Sequence, residues 1–204
     1  MEGFEHIPPT GPLLVAANHT GYIDSLVCAN MLVKAGRRPR YLGKAEMFEE
    51  PILGWALRAI RQIPVHRGTG SKAPLEDAVA ALHRGETVVM YPEGTVTRRS
   101  DGLPQRAKMG LAWLALASGV PVTPIAGWGT QEIWQKSGKG SLKLGRPLWL
   151  RAGPAMDFSA YAEKLDDVPT LRKVTDEIMD TLTDMTVDLK AHYPKRWHPE
   201  NVTQ

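Results

Sequence analysis

His19 and Asp24, five residues apart, have the side-chain types needed for acid–base chemistry. A histidine titrates near neutral pH, and a carboxylate partner can fix its tautomer and stabilise its charged form. Such a pair can take a proton from a hydroxyl group and later return one. The alternative interpretation is a surface histidine that happens to precede a helix-capping aspartate, and the spacing by itself leaves both open.

The spacing does restrict the backbone that could bring the two side chains together. Five residues of continuous α-helix turn through about 500°, so the side chains would point about 140° apart. They can meet only if His19 lies in a loop and Asp24 lies in the first turn of a following helix. An apolar run before His19, Leu13–Ala17, predicts a buried strand, and residues 24–35 predict a helix that ends at Gly36.

The rest of the chain alternates in the same way between strand and helix patterns. Strands are predicted at 40–43, 63–65, 87–91 and 122–126, and helices at 51–60, 75–84, 106–118 and about 169–192. Residues 142–144 and 147–150 resemble a hairpin or two edge strands. This alternation predicts one α/β domain over residues 1–204, with a mixed, largely parallel sheet flanked by helices.

Composition narrows the classes of protein and partner. The 204 residues are 43% hydrophobic and 23% charged, as in an ordinary globular protein, and the lone Cys28 lies in an apolar run that predicts a core position. No apolar stretch is long enough to span a bilayer, so we expect a cytoplasmic protein that binds the membrane peripherally. Residues 34–108 hold 14 Lys and Arg against 8 Asp and Glu, a patch that could attract an anionic membrane surface or a phosphorylated molecule. Without a binding motif or clustered aromatic residues, we expect no nucleic-acid partner.

Further polar residues directly follow predicted strands. Arg67 follows the strand 63–65, and Glu93, Gly94 and Thr95 follow the strand 87–91. Ligands of open α/β sheets bind at such strand ends, so these segments could share one crevice with His19. Arg67 could hold a phosphate with two parallel hydrogen bonds, and Thr95 could add a donor. The alternative for residues 92–95 is a plain β-turn.

Four segments, in this order along the chain, resemble the four motifs of the glycerolipid acyltransferases, the family typified by 1-acylglycerol-3-phosphate acyltransferase. The first motif is Asn18-His19 with Asp24. The other three are residues 43–68, Tyr91-Pro92-Glu93-Gly94-Thr95, and residues 120–125. The four together cover about 110 residues, and the resemblance weakens beyond about residue 150.

The resemblance implies the glycerolipid acyltransferase fold and transfer of a fatty acyl group from a thioester, acyl-CoA or acyl carrier protein. The acceptor would be a hydroxyl of a glycerol phosphate lipid, with lysophosphatidate to phosphatidate as the leading reaction. The alternatives are glycerol 3-phosphate or another lysophospholipid as acceptor, or a non-catalytic lipid- or phosphate-binding module. By the resemblance His19 is the general base, Asp24 orients it, and the acceptor is held by Arg67, Glu93, Gly94 and Thr95.

The chain departs from the family pattern at two motif positions. Gly21 stands where many members have serine, and Val96 stands where arginine is usual, so Arg98 or Arg99 would supply that charge. Lys108 matches a family lysine that could contact the phosphate, and an ordinary surface lysine is the alternative.

The sequence also suggests how the acyl group moves. No Gly-x-Ser-x-Gly elbow is present and Cys28 lies in an apolar helix, so we expect direct transfer without a covalent acyl-enzyme. The histidines show no metal-ligand spacing, and we expect no metal and no cofactor besides the acyl donor.

One apolar segment has two interpretations. Family members often carry an N-terminal membrane segment, which is either missing here or lies outside the given sequence, so we expect membrane contact elsewhere. The predicted helix 51–60 is a candidate, because apolar residues lie beside Arg58 and Arg61. An ordinary core helix is the preferred interpretation and an interfacial helix the alternative for Ile52, Leu53, Trp55, Ala56 and Leu57.

Overall fold

A single sheet forms the centre of the computed structural model, which describes residues 1–66, 72–134 and 145–194. In these ranges its six strands are β1 (Leu13–Ala17), β2 (Pro39–Lys44), β3 (Ile63–Val65), β4 (Thr87–Met90), β5 (Val122–Trp128) and β6 (Trp149–Ala152). Their order is β3-β2-β4-β1-β5-β6. The first five run parallel, and β6 runs antiparallel to β5 at one edge. The predicted mixed, largely parallel α/β sheet is confirmed.

Helices cover both faces of this sheet. Over the described residues the α-helices are α1 (Asp24–Lys34), α2 (Glu46–Glu49), α3 (Pro51–Ala59), α4 (Ala73–His83), α5 (Gly110–Ser118) and α6 (Val168–His192). Side chains alternate between the faces of a strand. Leu14 and Ala16 of β1 pack with α4, α5 and α6, whereas Leu13, Val15 and Ala17 pack with α1. The uninterrupted apolar run of β1 therefore reflects burial on both sides.

The parallel strands bring the predicted motifs to one edge of the sheet. β1 lies between β4 and β5, with Val15 opposite Val89 on one side and Thr123 on the other. Because β1, β2, β4 and β5 run in one direction, their carboxyl ends lie at the same edge, which we call the C-terminal edge. The segments that carry His19 and Glu93 leave the sheet there.

One helix boundary differs clearly from its sequence prediction. The helix predicted at 106–118 begins only at Gly110, because the preceding segment is tied to the turn after β4: the Lys108 N–H donates to the Pro92 carbonyl at 3.0 Å. The last helix lies close to its predicted bounds, and its N-terminus is capped by the Asp167 carboxylate, which accepts from the Thr170 N–H. The strand predicted at 142–144 lies outside the described residues.

α3 is exposed, so the preferred interpretation of a core helix was wrong. Ile52 is 84% exposed and Trp55 is 69% exposed, while Gly54 is buried. α3 rests on α2 through this glycine, where an added Cβ would lie 2.1 Å from the Phe48 carbonyl oxygen. Gly54 therefore faces the protein, and the side chains of Ile52 and Trp55 face away from it.

The remaining general expectations concern Cys28 and the membrane. Cys28 is 2% exposed, and burial raises the pKa of its thiol to about 12, so it is a core residue. Of the helices in the described ranges, none combines the length and the apolar character that a membrane crossing requires.

The close approach of α3 to α2 predicts an unusual response to alanine. Gly54→Ala should lower the free energy of unfolding by about 1–3 kcal/mol, because the new methyl group overlaps the Phe48 carbonyl. Helix propensity alone would favour alanine by about 1 kcal/mol. Urea unfolding followed by circular dichroism measures the change.

Gly110→Ala, at the start of α5, is the matched control. Its Cβ would lie 3.8 Å from the Leu75 Cδ2 atom, an ordinary contact, so stability should stay equal or rise. If Gly54→Ala is as stable as this control, the packing of α3 described here is wrong.

Candidate active site

His19 and Asp24 meet at the C-terminal edge of the sheet. His19 lies in the loop after β1, Asp24 is the first residue of α1, and the His19 Nδ1 and Asp24 Oδ2 atoms are 2.9 Å apart. The side chain of His19 is 18% exposed and that of Asp24 is 8% exposed. The predicted loop-and-helix arrangement for this pair is confirmed.

The Asp24 carboxylate accepts hydrogen bonds from the loop after β1 and from the segment after β5. Its Oδ2 atom also accepts from the Gly21 N–H at 2.8 Å, and its Oδ1 atom accepts from the Thr130 hydroxyl. The hydroxyls of Thr20 and Thr130 are 2.7 Å apart, so each steadies the other. A buried carboxylate needs such donors, because an unpaired charge away from water is costly. The carboxylate is thereby fixed in the orientation that receives the His19 Nδ1–H.

A steric constraint explains why position 21 is a glycine in this chain. A Cβ at this position would lie 2.8 Å from the carbonyl carbon and oxygen of Thr130. The main chain after β5 passes so close to the His19–Asp24 loop that a serine would require one of them to move. The same close approach lets the Tyr22 N–H donate to the Trp134 carbonyl at 2.9 Å.

His19 is also fixed through its main chain and its ring. Its N–H donates to Glu93 Oε1 at 2.8 Å, and its carbonyl accepts from the Thr97 N–H at 2.7 Å. Its imidazole stacks on the Tyr91 ring with centroids 4.4 Å apart and planes 27° apart. The segment after β4 therefore holds both the main chain and the ring of His19.

Glu93 joins two separate stretches of backbone. While Oε1 accepts from His19, Oε2 accepts from the Gln105 N–H at 3.0 Å, and the residue is only 5% exposed. Burial raises the pKa of the carboxyl to about 7 in spite of these two hydrogen bonds. The structure thus places Glu93 in a supporting position, and its predicted contact with an acceptor stays a prediction.

Asn18 connects the ends of β1 and β5. Its side-chain Nδ2–H donates to the Gly127 carbonyl at 3.0 Å, and its Oδ1 accepts from the Gly127 N–H at 2.7 Å. The side-chain amide thus pairs with both main-chain hydrogen-bonding groups of Gly127. It aligns β5, which precedes Thr130, with β1, which precedes His19.

Gly94 and Lys108 lie side by side next to this network. Gly94 has a φ of 69°, a left-handed conformation that favours glycine, and its N–H donates to the Tyr91 carbonyl. A Cβ at Gly94 would be 3.8 Å from Lys108 Cε, so the predicted turn residue and the predicted lysine are neighbours. Thr95 follows in the same turn and is half-buried.

The other predicted cations have different surroundings. Arg98 and Arg99 are exposed, and the Arg99 guanidinium pairs with the Asp101 carboxylate at 2.6 Å, which lowers the pKa of Asp101 to about 2. Val96 is 2% exposed, so an arginine side chain would not fit there in this structure. Arg67 lies outside the described residues, and its phosphate contact stays a prediction.

Part of the basic patch predicted between residues 34 and 108 is structural. Arg37 is 5% exposed and donates to the Thr87 hydroxyl at 2.8 Å, near the amino end of β4. Arg40 pairs with the Glu86 carboxylate at 2.6 Å. These cations lie toward the edge of the sheet opposite His19, because they accompany the beginnings of β2 and β4. They are therefore not available to a ligand at His19.

The arrangement can perform base catalysis on a hydroxyl. With Nδ1–H donated to Asp24, the neutral imidazole has its basic lone pair on Nε2, for which the described residues provide no hydrogen-bond partner. Across the described ranges, no group of three or more His, Cys, Asp or Glu side chains is placed to hold a metal ion.

Thr130 is the site residue that the sequence reasoning missed. It follows β5 by two residues and lies 106 positions from Asp24. Its only local signal is its place after a predicted strand, the same rule that identified His19 and Glu93. Gln105, which joins Glu93 through its main-chain N–H, has no signal in its residue type.

Comparison with known proteins identifies the family. Residues 1–128 match the acyltransferase family model. The chain is 30% identical over 148 residues to a chloroplastic 1-acyl-sn-glycerol-3-phosphate acyltransferase of Arabidopsis thaliana, covering 71% of this chain and 40% of that protein. It is 28% identical over 147 residues to the enzyme of the same name from Bacillus subtilis, covering 71% of this chain and 70% of that protein.

A solved structure agrees with this assignment. The crystal structure of the 1-acyl-sn-glycerophosphate acyltransferase PlsC from Thermotoga maritima matches with a TM-score of 0.67 and 26% identity, covering 95% of this chain and 72% of that one. The chain belongs to the glycerolipid acyltransferase family. It spans about two fifths of the length of the two chloroplast relatives that it matches.

The buried Glu93 carboxyl predicts a pH dependence of stability. Its pKa is raised from 4.5 to about 7, so its contribution to the free energy of unfolding is fully present below about pH 4.5 and is lost as the pH rises through about 7. Relative to Glu93→Gln, which does not titrate, the wild type should lose about 1–3 kcal/mol between about pH 5 and about pH 8. Urea unfolding of both proteins at the two pH values tests this, and a difference that does not change with pH would contradict it.

Proposed function

We propose that this chain transfers a fatty acyl group from an acyl thioester to the free hydroxyl of lysophosphatidate, forming phosphatidate. The observation that carries the proposal is the 2.9 Å contact between His19 Nδ1 and Asp24 Oδ2 at the C-terminal edge of the sheet. Membership in the glycerolipid acyltransferases supports the reaction class, and the names of the plant and Bacillus relatives support the acceptor.

The proposed reaction has one transfer step. His19 Nε2 takes the proton of the acceptor hydroxyl while its oxygen attacks the thioester carbonyl and forms the new C–O bond. The tetrahedral oxyanion then collapses, the C–S bond breaks, and the imidazolium returns its proton to the departing thiolate. Asp24 stabilises the imidazolium in between. Cys28 takes no part, because a buried thiol with a pKa of about 12 is not a nucleophile.

The acceptor is proposed to bind between the turn after β4 and the loop after β1. Gly94 keeps that turn open, and the exposed Lys108 beside it is a cation for the phosphate, with Arg98 and the predicted Arg67 as further cations. The donor is acyl-CoA or an acyl carrier protein, without another cofactor. Because the acceptor is a lipid, we place the reaction at an anionic membrane surface on its cytoplasmic face.

His19→Ala should remove the base and lower kcat by about 10²–10⁴-fold, because no other described group is placed to accept the proton. The assay supplies acyl-CoA with lysophosphatidate, glycerol 3-phosphate or lysophosphatidylcholine and identifies the products by mass spectrometry. The fold should be retained, because the His19 ring is part-exposed and its main-chain hydrogen bonds remain.

The same assay separates the alternatives. Wild-type turnover only with another acceptor would replace lysophosphatidate in the proposal. Turnover of His19→Ala equal to that of the wild type would overturn the general-base assignment. A wild type that binds acceptor lipids without turnover of any of them would indicate the non-catalytic module.

Thr130→Val should lower kcat about tenfold with little change in KM. The Asp24 carboxylate loses the hydroxyl donor that orients it, and a hydrogen bond to a charged group is worth about 1.5–3 kcal/mol. Steady-state kinetics over a range of lysophosphatidate concentrations separates kcat from KM.

Thr186→Val is the matched control, since this buried hydroxyl donates to the Leu182 carbonyl inside α6, away from the site. It should keep the wild-type kcat. If Thr130→Val also keeps it, Thr130 has no positioning role.

A further inference from the structure

Exposed apolar side chains are concentrated around the C-terminal edge of the sheet. The described residues expose 13 large hydrophobic side chains, and eight of these lie between residues 22 and 60. We define the docking patch as the exposed residues next to this edge: Tyr22, Leu26, Met47, Ile52, Leu53, Trp55 and Trp134. Their exposed fractions run from 40% for Met47 to 84% for Ile52.

The topology brings these residues to one side of the molecule. Tyr22 and Leu26 belong to the loop and first turn that follow β1, and α2 and the first half of α3 follow β2. Trp134 follows β5. Because these three strands are parallel and end at the same edge, the patch lies at the edge of the sheet that carries the His19–Asp24 pair. The Tyr22 and Trp134 rings pack edge to face, with centroids 5.3 Å apart.

Such exposure requires a partner. Gly54 forms the inner side of α3, so Ile52 and Trp55 face away from the protein. Their exposed side chains therefore add little to the packing of the core. A contiguous exposed apolar surface on a globular protein marks an interaction site. Tryptophan and tyrosine mixed with aliphatic side chains are typical of surfaces that enter the head-group region of a bilayer.

Charge favours an anionic bilayer as the occupant. Exposed cations next to the C-terminal edge are Lys44, Arg58, Arg98, Arg106 and Lys108, five against the three exposed acids Glu46, Glu49 and Glu50. Arg99 adds nothing, because it is paired with Asp101. The Arg58 guanidinium donates to the Phe48 carbonyl at 2.6 Å, which keeps this cation beside α2 and the apolar side chains. Cations around an apolar centre complement anionic head groups.

We propose that the docking patch seats the protein on an anionic lipid bilayer, with the C-terminal edge toward the head groups. The proposal rests on the proposed function, in which the acceptor is a membrane lipid. In this orientation the free glycerol hydroxyl of a lysolipid reaches His19 at the level of the interface. The lipid need not leave the bilayer, because the base is brought to it.

Flotation with lipid vesicles tests the surface directly. The patch variant combines Ile52→Ser with Trp55→Ser. Its matched control combines Val168→Ser with Val187→Ser, which alters exposed apolar residues (58% and 46%) of α6, outside the docking patch. On vesicles of phosphatidylcholine with phosphatidylglycerol, the patch variant should partition at least about tenfold less than the wild type, and the control should match the wild type. Circular dichroism verifies that both variants are folded.

Several results would overturn the proposal. These are equal partitioning of the patch variant and the wild type, or a wild type that binds vesicles with and without phosphatidylglycerol equally well. Loss of self-association in the patch variant on gel filtration, or loss of binding to acyl carrier protein, with vesicle binding unchanged, would assign the patch to a second copy or to a carrier protein instead.

A second readout separates this proposal from the proposed function. Acyl transfer is compared between vesicle-bound lysophosphatidate and a short-chain lysophosphatidate dissolved as monomers. The ratio of vesicle-bound to monomeric turnover should fall at least about tenfold in the patch variant. Patch-dependent vesicle binding without any turnover would support the docking and refute the function, whereas normal turnover with patch-independent binding would do the reverse.

Discussion

The Asp24 carboxylate is the group on which the site depends. It is buried at the end of the sheet, and it accepts hydrogen bonds from His19, Gly21 and Thr130, which are the donors that a buried carboxylate needs. These donors come from the loop after β1 and from the segment after β5. The two loops must therefore approach closely, which explains a glycine at position 21. Satisfying one buried charge fixes the base, the loop and the neighbouring strand together.

A second buried carboxylate, that of Glu93, binds main-chain N–H groups. Glu93 ties the backbone of His19 to that of Gln105, so the base is anchored at its main chain by one acid and at its ring by another. The two acids differ in their partners. Asp24 faces a side chain that would change its charge in the proposed base catalysis, whereas Glu93 faces neutral amides that would not. This difference separates an orienting role from a structural one at the same strand ends.

Most strands of the sheet and the contact between His19 and Asp24 could be predicted from the sequence. Hydrophobic runs located β1, β4 and β5, and helical geometry required a loop at His19 and a helix at Asp24. Sequence reasoning failed where long-range contacts decide the outcome. Residues 106–109 have helical composition, but a hydrogen bond to Pro92 holds them out of α5. The apolar pattern of α3 predicts a core helix because it does not reveal that Gly54 makes the close contact with α2 while Ile52 and Trp55 are exposed. Thr130 has no local feature that connects it to a residue 106 positions earlier.

That separation has a consequence for synthesis. A chain that leaves the ribosome from its N-terminus presents His19 and Asp24 long before β5 exists, and β1 cannot take its central place until β4 and β5 flank it. The reciprocal amide contact between Asn18 and Gly127 closes only then. The His19 ring thus acquires its orientation only after residue 130 has been made, because its partners are non-local. A partly folded chain would carry His19 and Asp24 without the geometry that the proposed base catalysis requires.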